Sequence, residues 1–202
     1  MNPAFSVIFL TTLIGAGQGL FLALYAAELA GRATPGFLAL GAAVALALTA
    51  LGLIASFFHL GHPERAWRSA AMWRTSWLSR EIIVLPAFLA CVALWSTMHW
   101  LGGTTLGWGL AAAVLALLLY LCTGMIYAAV KAIREWATPL TPWNYALLGM
   151  ASGLMLCTAL AAALAPPLAA ALAMATLVTT LAGGVSRGLT LWRNLTLPPK
   201  TT

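Results

Sequence analysis

Thr105–Val130 reads TLGWGLAAAVLALLLYLCTGMIYAAV, an unbroken apolar run without one charged side chain. About 20 apolar residues in a helix cross the hydrocarbon core of a bilayer. The run is too long for a buried strand, and its uncharged character predicts a membrane-spanning helix. The same reading extends outward to five more candidates: Phe5–Leu29, Pro35–Leu60, Ile82–Leu101, Pro142–Ala165 and Pro167–Gly188. The connections are short ("GRAT", "GGT", "PP"), apart from Gly61–Glu81 and "KAIREWATPLT". Backbone groups in lipid must be satisfied within their own segment, so helix is the expected state throughout. The expected fold is all-α: one transmembrane bundle of about six helices over residues 1–202, with a polar, fraying tail over about 192–202.

Composition agrees. The 202 residues are 62% hydrophobic and only 7% charged, where soluble domains carry about 25% charge. Mean hydropathy is +0.96. There is no Asp, and the carboxylates are Glu28, Glu64, Glu81 and Glu135. The net charge of +6 sits in the connections, which argues for membrane topology rather than a nucleic-acid partner. The N-terminal segment has no basic leader, and its apolar run is too long for a signal peptide, so it reads as the first span. Cys91, Cys122 and Cys157 stand alone inside apolar stretches as small core residues. Without a Cys-x-x-Cys spacing, the protein is not expected to hold an iron–sulfur cluster or structural zinc of its own.

The basic residues also predict orientation. With the N-terminus in the cytoplasm, the cytoplasmic face holds nine of the ten: Arg65, Arg68, Arg74, Arg80, Lys131, Arg134, Arg187, Arg193 and Lys200. Only Arg32 remains outside. The positive-inside rule therefore favours both termini in the cytoplasm.

One connection is unlike the rest. SFFHLGHPERAWRSAAMWRTSWLSREI, Ser56–Ile82, gathers four arginines, two glutamates and two of the three histidines. Ionisable residues at a membrane boundary default to a functional hypothesis; the plain alternative is that Arg and Trp anchor the protein at the headgroups. Haem is not expected. His59 and His62 lie on one turn, and His99 lies at the far end of span three, so no pair is placed to sandwich an iron. A quinone needs no metal. Its two carbonyls accept hydrogen bonds and its redox cycle moves protons. Imidazole suits that task because it titrates near neutrality, and here His59, Glu81, Phe57, Phe58, Trp67, Trp73 and Trp77 are gathered together. In span one, "GAGQGLF" lies inside an apolar helix and follows no strand, so it is not a dinucleotide fingerprint. Gly15, Gly17 and Gly19 instead permit close helix packing. Gln18 is then a mid-membrane polar residue, either interhelical glue or the lining of a quinone cavity. Glu28, near the outer end, reads as interfacial. Tyr127, Lys131 and Arg134 approach the same face as His59.

Together these residues resemble the DMSO reductase anchor subunit (DmsC) family. The likeness is carried by "GQG" at Gly17–Gly19, by LIASFFHLGHPERAWRSAAMWRTSWLSREI at Leu53–Ile82, by MIYAAVKAIREWATPLTP at Met125–Pro142, and weakly by LAGGVSRGL at Leu181–Leu189. Members of that family carry more spans than the six counted here.

The resemblance implies a membrane anchor for a molybdopterin catalytic subunit and a four-cluster iron–sulfur subunit, exchanging electrons with menaquinone or ubiquinone and carrying no haem. It makes His59 the quinone-site histidine and Glu81 the family's glutamate. Gln18, Tyr127, Arg68 and Trp77 complete the expected quinone site; Arg65, Arg74, Arg80, Lys131 and Arg134 are expected to dock the partner, steering encounter more than setting affinity. The protein would lie in the bacterial inner membrane with its catalytic partners on the cytoplasmic side. Sulfite as the substrate fits that orientation by family analogy alone. Two other readings compete: a small transporter or channel, which needs more polar lining at mid-membrane than the spans offer, and a purely structural anchor with no quinone site.

Overall fold

A computed structural model of the protein describes residues 5–58 and 62–197. Six long helices follow one another: α1 Phe5–Leu29, α2 Pro35–Phe57, α3 Trp77–Leu101, α4 Leu106–Ala128, α5 Leu140–Leu164 and α6 Pro166–Leu195. A 3₁₀ segment, Pro63–Met72, lies between α2 and α3. There is no strand among the described residues. All six helices are long and apolar enough to cross a membrane, so this is a multi-pass membrane protein of the expected all-α class.

Local chemistry sets the ends. Thr34 caps α2 through its hydroxyl, which accepts from the Phe37 N–H at 3.4 Å, and Pro35 follows where no N–H is needed. Gly102 ends α3 in the left-handed conformation (φ 67°), its N–H bonded to the Met98 carbonyl. Two boundaries depart furthest from expectation. Helix α3 starts at Trp77 rather than Ile82, because the Ser76 hydroxyl accepts from the Ser79 N–H at 3.3 Å and caps the helix there. Helix α6 runs past Gly188 to Leu195, so part of the expected fraying tail is helical. The cause is packing on α5: the Asn144 amide donates to the Thr190 hydroxyl at 2.7 Å, with both residues buried. Arg193 then reaches the Arg134 carbonyl at 3.2 Å. Thr190→Val keeps the shape and removes the acceptor. It is expected to lower stability by about 1 kcal/mol, read as an earlier midpoint in detergent–SDS unfolding.

Helix α1 is the centre of the bundle. It packs on α2, α5 and α4, whereas α6 leans on α5 at the edge. Every residue from Ile14 to Phe21 is buried. The glycines expected to allow close packing do so: a Cβ on Gly17 would strike the Thr49 hydroxyl, and one on Gly153 of α5 would overlap the backbone of Gly19 and Leu20. Without a water-driven hydrophobic effect between spans, such backbone-to-backbone contact is a main source of helix association in lipid.

The starts of α1, α3 and α5 and the ends of α2, α4 and α6 share one end of the bundle. Tyr145 near the start of α5 reaches the Thr11 carbonyl on α1, and Thr123 near the end of α4 reaches Glu81 near the start of α3. The long charged connection and the Val130–Pro139 turn therefore belong to the same end.

Candidate functional site

Arg80 builds the entrance to α3. Its Nε donates to the Trp73 carbonyl at 2.9 Å and an Nη donates to the Arg74 carbonyl at 2.8 Å. The guanidinium lies 4.3 Å from the centre of the Trp77 ring. Arg80 thus folds the end of the charged connection back onto the helix. Its guanidinium is engaged within the protein, in addition to any docking role.

The next residue points the other way. Glu81 is 7% exposed, and the Thr123 hydroxyl of α4 donates to its Oε1. Tyr127, Tyr145 and Cys122 lie within electrostatic reach of this carboxyl group. The Tyr127 ring packs edge-on against Trp136 at 5.5 Å. Burying a carboxyl group in apolar surroundings is expensive unless it is hydrogen-bonded or neutralised. At this position the protein keeps one on a hydroxyl rather than on a paired arginine.

Gln18 is fully buried, and neither its Nε2 nor its Oε1 has a hydrogen-bond partner among the described residues. It therefore makes no interhelical hydrogen bond among the described residues. It shares a face of α1 with Phe21 and Tyr25, which meet α3 and α4. It stands one turn from Phe21 towards the Glu81 end. An unsatisfied buried amide costs about 1–3 kcal/mol, and a carbonyl-bearing ligand or a water removes that cost.

The other expected residues lie in an outer layer. Arg68 is exposed with its guanidinium 5.7 Å from the Trp67 ring, and Arg74 sits 5.4 Å from Trp73. Arg65 is exposed beside Glu64, at 3.7 Å. Glu64 also meets His62, at 3.1 Å. Lys131 and Arg134 are exposed on the other connection at this end. Trp77 is half-buried beneath Arg80. The structure groups Glu81 with Tyr127 and leaves Arg68 at the surface. His59 lies outside the described residues; Phe58, the residue before it, caps α2.

The opposite end of the bundle holds a second carboxylate. Glu28 was expected simply to sit in the interface. Instead its side chain is 11% exposed and binds three partners from two other elements. The Trp95 indole donates to Oε2 at 2.8 Å, the Thr105 hydroxyl donates to Oε1, and His99 Nε2 lies 3.2 Å from Oε1 without hydrogen-bond alignment. Tyr25 adds a bond to the Leu106 carbonyl at 3.3 Å. The physical reason is hydrogen bonding: Trp95 of α3 and Thr105 just before α4 both donate to the Glu28 carboxylate, which offsets the cost of burying it. Between the two carboxylates lies a layer of apolar and aromatic side chains. Phe21 packs edge-on against Phe88 at 5.7 Å and against Trp95 at 5.3 Å, with Leu24 and Val92 also fully buried.

Known proteins share this sequence pattern. The profile of the family described as DMSO reductase anchor subunit (DmsC) matches residues 1–199. The C subunit of the sulfite dehydrogenase of Allochromatium vinosum is 49% identical over 222 aligned positions, covering 100% of this sequence and 68% of that protein. The C polypeptide of the anaerobic dimethyl sulfoxide reductase of Haemophilus influenzae is 32% identical over 121 positions, covering 58% of this sequence and 43% of that protein. No solved structure matches.

Proposed function

Because the protein belongs to the DMSO reductase anchor subunit (DmsC) family, we propose that it holds an iron–sulfur subunit and a molybdopterin catalytic subunit at a bacterial cytoplasmic membrane and exchanges their electrons with quinone. The observation that carries the quinone site is the buried Glu81–Thr123 pair, at the same end of the bundle as the charged connection. The unpartnered Gln18 amide lies on the interior face of α1 towards that end.

The residues present fit a quinone. Its carbonyls accept hydrogen bonds, which the Gln18 amide can donate, and Glu81 can hold or release a proton where the hydrocarbon begins. When bound, the quinone takes up or gives back two electrons and two protons. His59 supplies a further imidazole by its place in the sequence, directly after Phe58. The exposed layer of Arg65, Arg68, Arg74, Lys131 and Arg134 supports docking of an acidic partner face, which fixes orientation and speeds encounter. With this face cytoplasmic, both termini and the catalytic partners are cytoplasmic, and protons are exchanged with the cytoplasm. The likeness to a sulfite dehydrogenase subunit over the whole sequence favours sulfite oxidation with quinone reduction.

The test uses the complex in membranes, with turnover on an artificial dye reporting the amount of assembled catalytic subunits. Glu81→Gln and His59→Ala should each cut quinone-linked turnover, normalised in this way, by about 100-fold. Full quinone-linked rates in both variants reject the site. Affinity purification of this protein without co-purifying molybdenum and iron–sulfur proteins rejects the anchor.

A further inference from the structure

A crevice of about 190 Å³ opens between α1 and α5, bordered by Thr11, Thr12, Tyr145, Leu148, Gly149 and Ser152. Gly149 on its α5 wall packs close to Gly15 of α1; a Cβ on Gly15 would lie 3.5 Å from the Gly149 Cα. Thr12, Leu148 and Ser152 are exposed on the outer surface of the bundle, so the opening faces hydrocarbon. The volume is below the about 300–1,000 Å³ that encloses a drug-sized ligand. It suits one ring whose tail stays in the bilayer.

The walls are mostly apolar but carry hydroxyl groups. Thr11 and Ser152 bond back to carbonyls of their own helices, at 3.0 Å and 2.9 Å. Tyr145 differs. Its hydroxyl donates to the Thr11 carbonyl at 3.1 Å, the acceptor of an ordinary helical bond within α1. The phenol can release that carbonyl without leaving it unpaired. On its inner side Tyr145 lies near Thr123, which donates to Glu81. Tyr145 therefore borders the lipid-facing crevice and also stands beside the buried carboxyl group. An acyl tail in the crevice would make no use of that phenol, whereas a ring bearing a carbonyl would accept from it.

Building on the quinone reading above, we propose that the α1–α5 crevice admits the quinone headgroup from the bilayer, with the Tyr145 hydroxyl donating to one of its carbonyls beside the buried Thr123–Glu81 pair. The crevice is the way in from lipid, and Glu81 is the buried end of the site.

Two measurements on the membrane-bound complex test this. A short-tailed azidoquinone photolabel should attach to the Tyr145–Ser152 stretch or to Thr11–Thr12, and unlabelled quinone should compete it away. Ser152→Phe fills the crevice from its lipid-facing rim and should raise KM for decylubiquinone at least about 10-fold, normalised to dye-linked turnover. Thr12→Phe does the same from the α1 side and serves if Ser152→Phe fails to assemble. Tyr145→Phe should also raise KM. Unchanged KM in both crevice-filling variants overturns the proposal, as does label that phospholipid displaces and quinone does not. If those variants behave normally while Glu81→Gln still stops quinone-linked turnover, only the crevice is wrong. If Glu81→Gln is also normal, the quinone reading fails with it.

Discussion

Gly153→Ala is expected to remove most of the folded protein from the membrane, although it adds a single methyl group. A Cβ at Gly153 would overlap the main chain of Gly19 and Leu20. Backbone atoms in the middle of a helix cannot rotate aside as a side chain can. The α1–α5 pair must therefore separate along its length, giving up the packing that holds spans together in lipid. Overpacking of an ordinary core costs about 1–3 kcal/mol, and this contact belongs at or above the top of that range. Gly184→Ala is the control. It adds the same methyl on α6, where nothing among the described residues lies within 4 Å, and replaces the glycine with a better helix former. It should leave stability within about 0.5 kcal/mol of the parent. Protein yield and the SDS unfolding midpoint measure both. Equal behaviour of the two variants would show that the close α1–α5 approach is wrong.

The second large effect is at Glu28. Glu28→Ala leaves the Trp95 indole and the Thr105 hydroxyl without their common acceptor, and Trp95 is fully buried. Stranding buried donors costs about 1–3 kcal/mol each. A loss of about 3 kcal/mol in unfolding free energy is expected. Glu28→Gln keeps a carbonyl acceptor and should lose less. Quinone-linked turnover per assembled complex should be unchanged in both, because Phe21, Phe88 and Trp95 separate this cluster from Glu81. A turnover defect without a stability defect would assign Glu28 a different role.

The spans were legible because their signal is length and lack of charge, which no tertiary contact can override. Phe5–Leu29 agrees at both ends, as do the start of α2 at Pro35 and the end of α3 at Leu101; the remaining boundaries move, furthest where a cap or a packed neighbour decides. The Ser76 cap was readable in principle, since Ser76 precedes the aromatic start of α3 by one position. The extension of α6 was not, because it depends on Asn144 meeting Thr190 across two helices. The same distinction runs through the site. Glu81 stood out as a carboxylate at the head of an apolar run. Thr123 and Tyr145 did not, since a hydroxyl in a span bonds to its own helix as often as to a neighbour, and only the register of α4 and α5 against α3 decides which. Glu28 and His99 offered a clue as two ionisable residues near the same ends of spans one and three. That both ends lie on one side follows from the parallel run of those helices, but that the groups touch does not.

The glycine contact between α1 and α5 has a consequence for how the protein is made. The bonds that tie Gly15 to Tyr120 and Thr11 to Tyr145 join residues 105 and 134 positions apart. The first span thus leaves the ribosome well before the helix that will cover it. Until then the flat glycine face and the amide of Gln18 must wait in the bilayer or in the hands of the insertion machinery, so the central helix of the finished bundle is among the last to find its place.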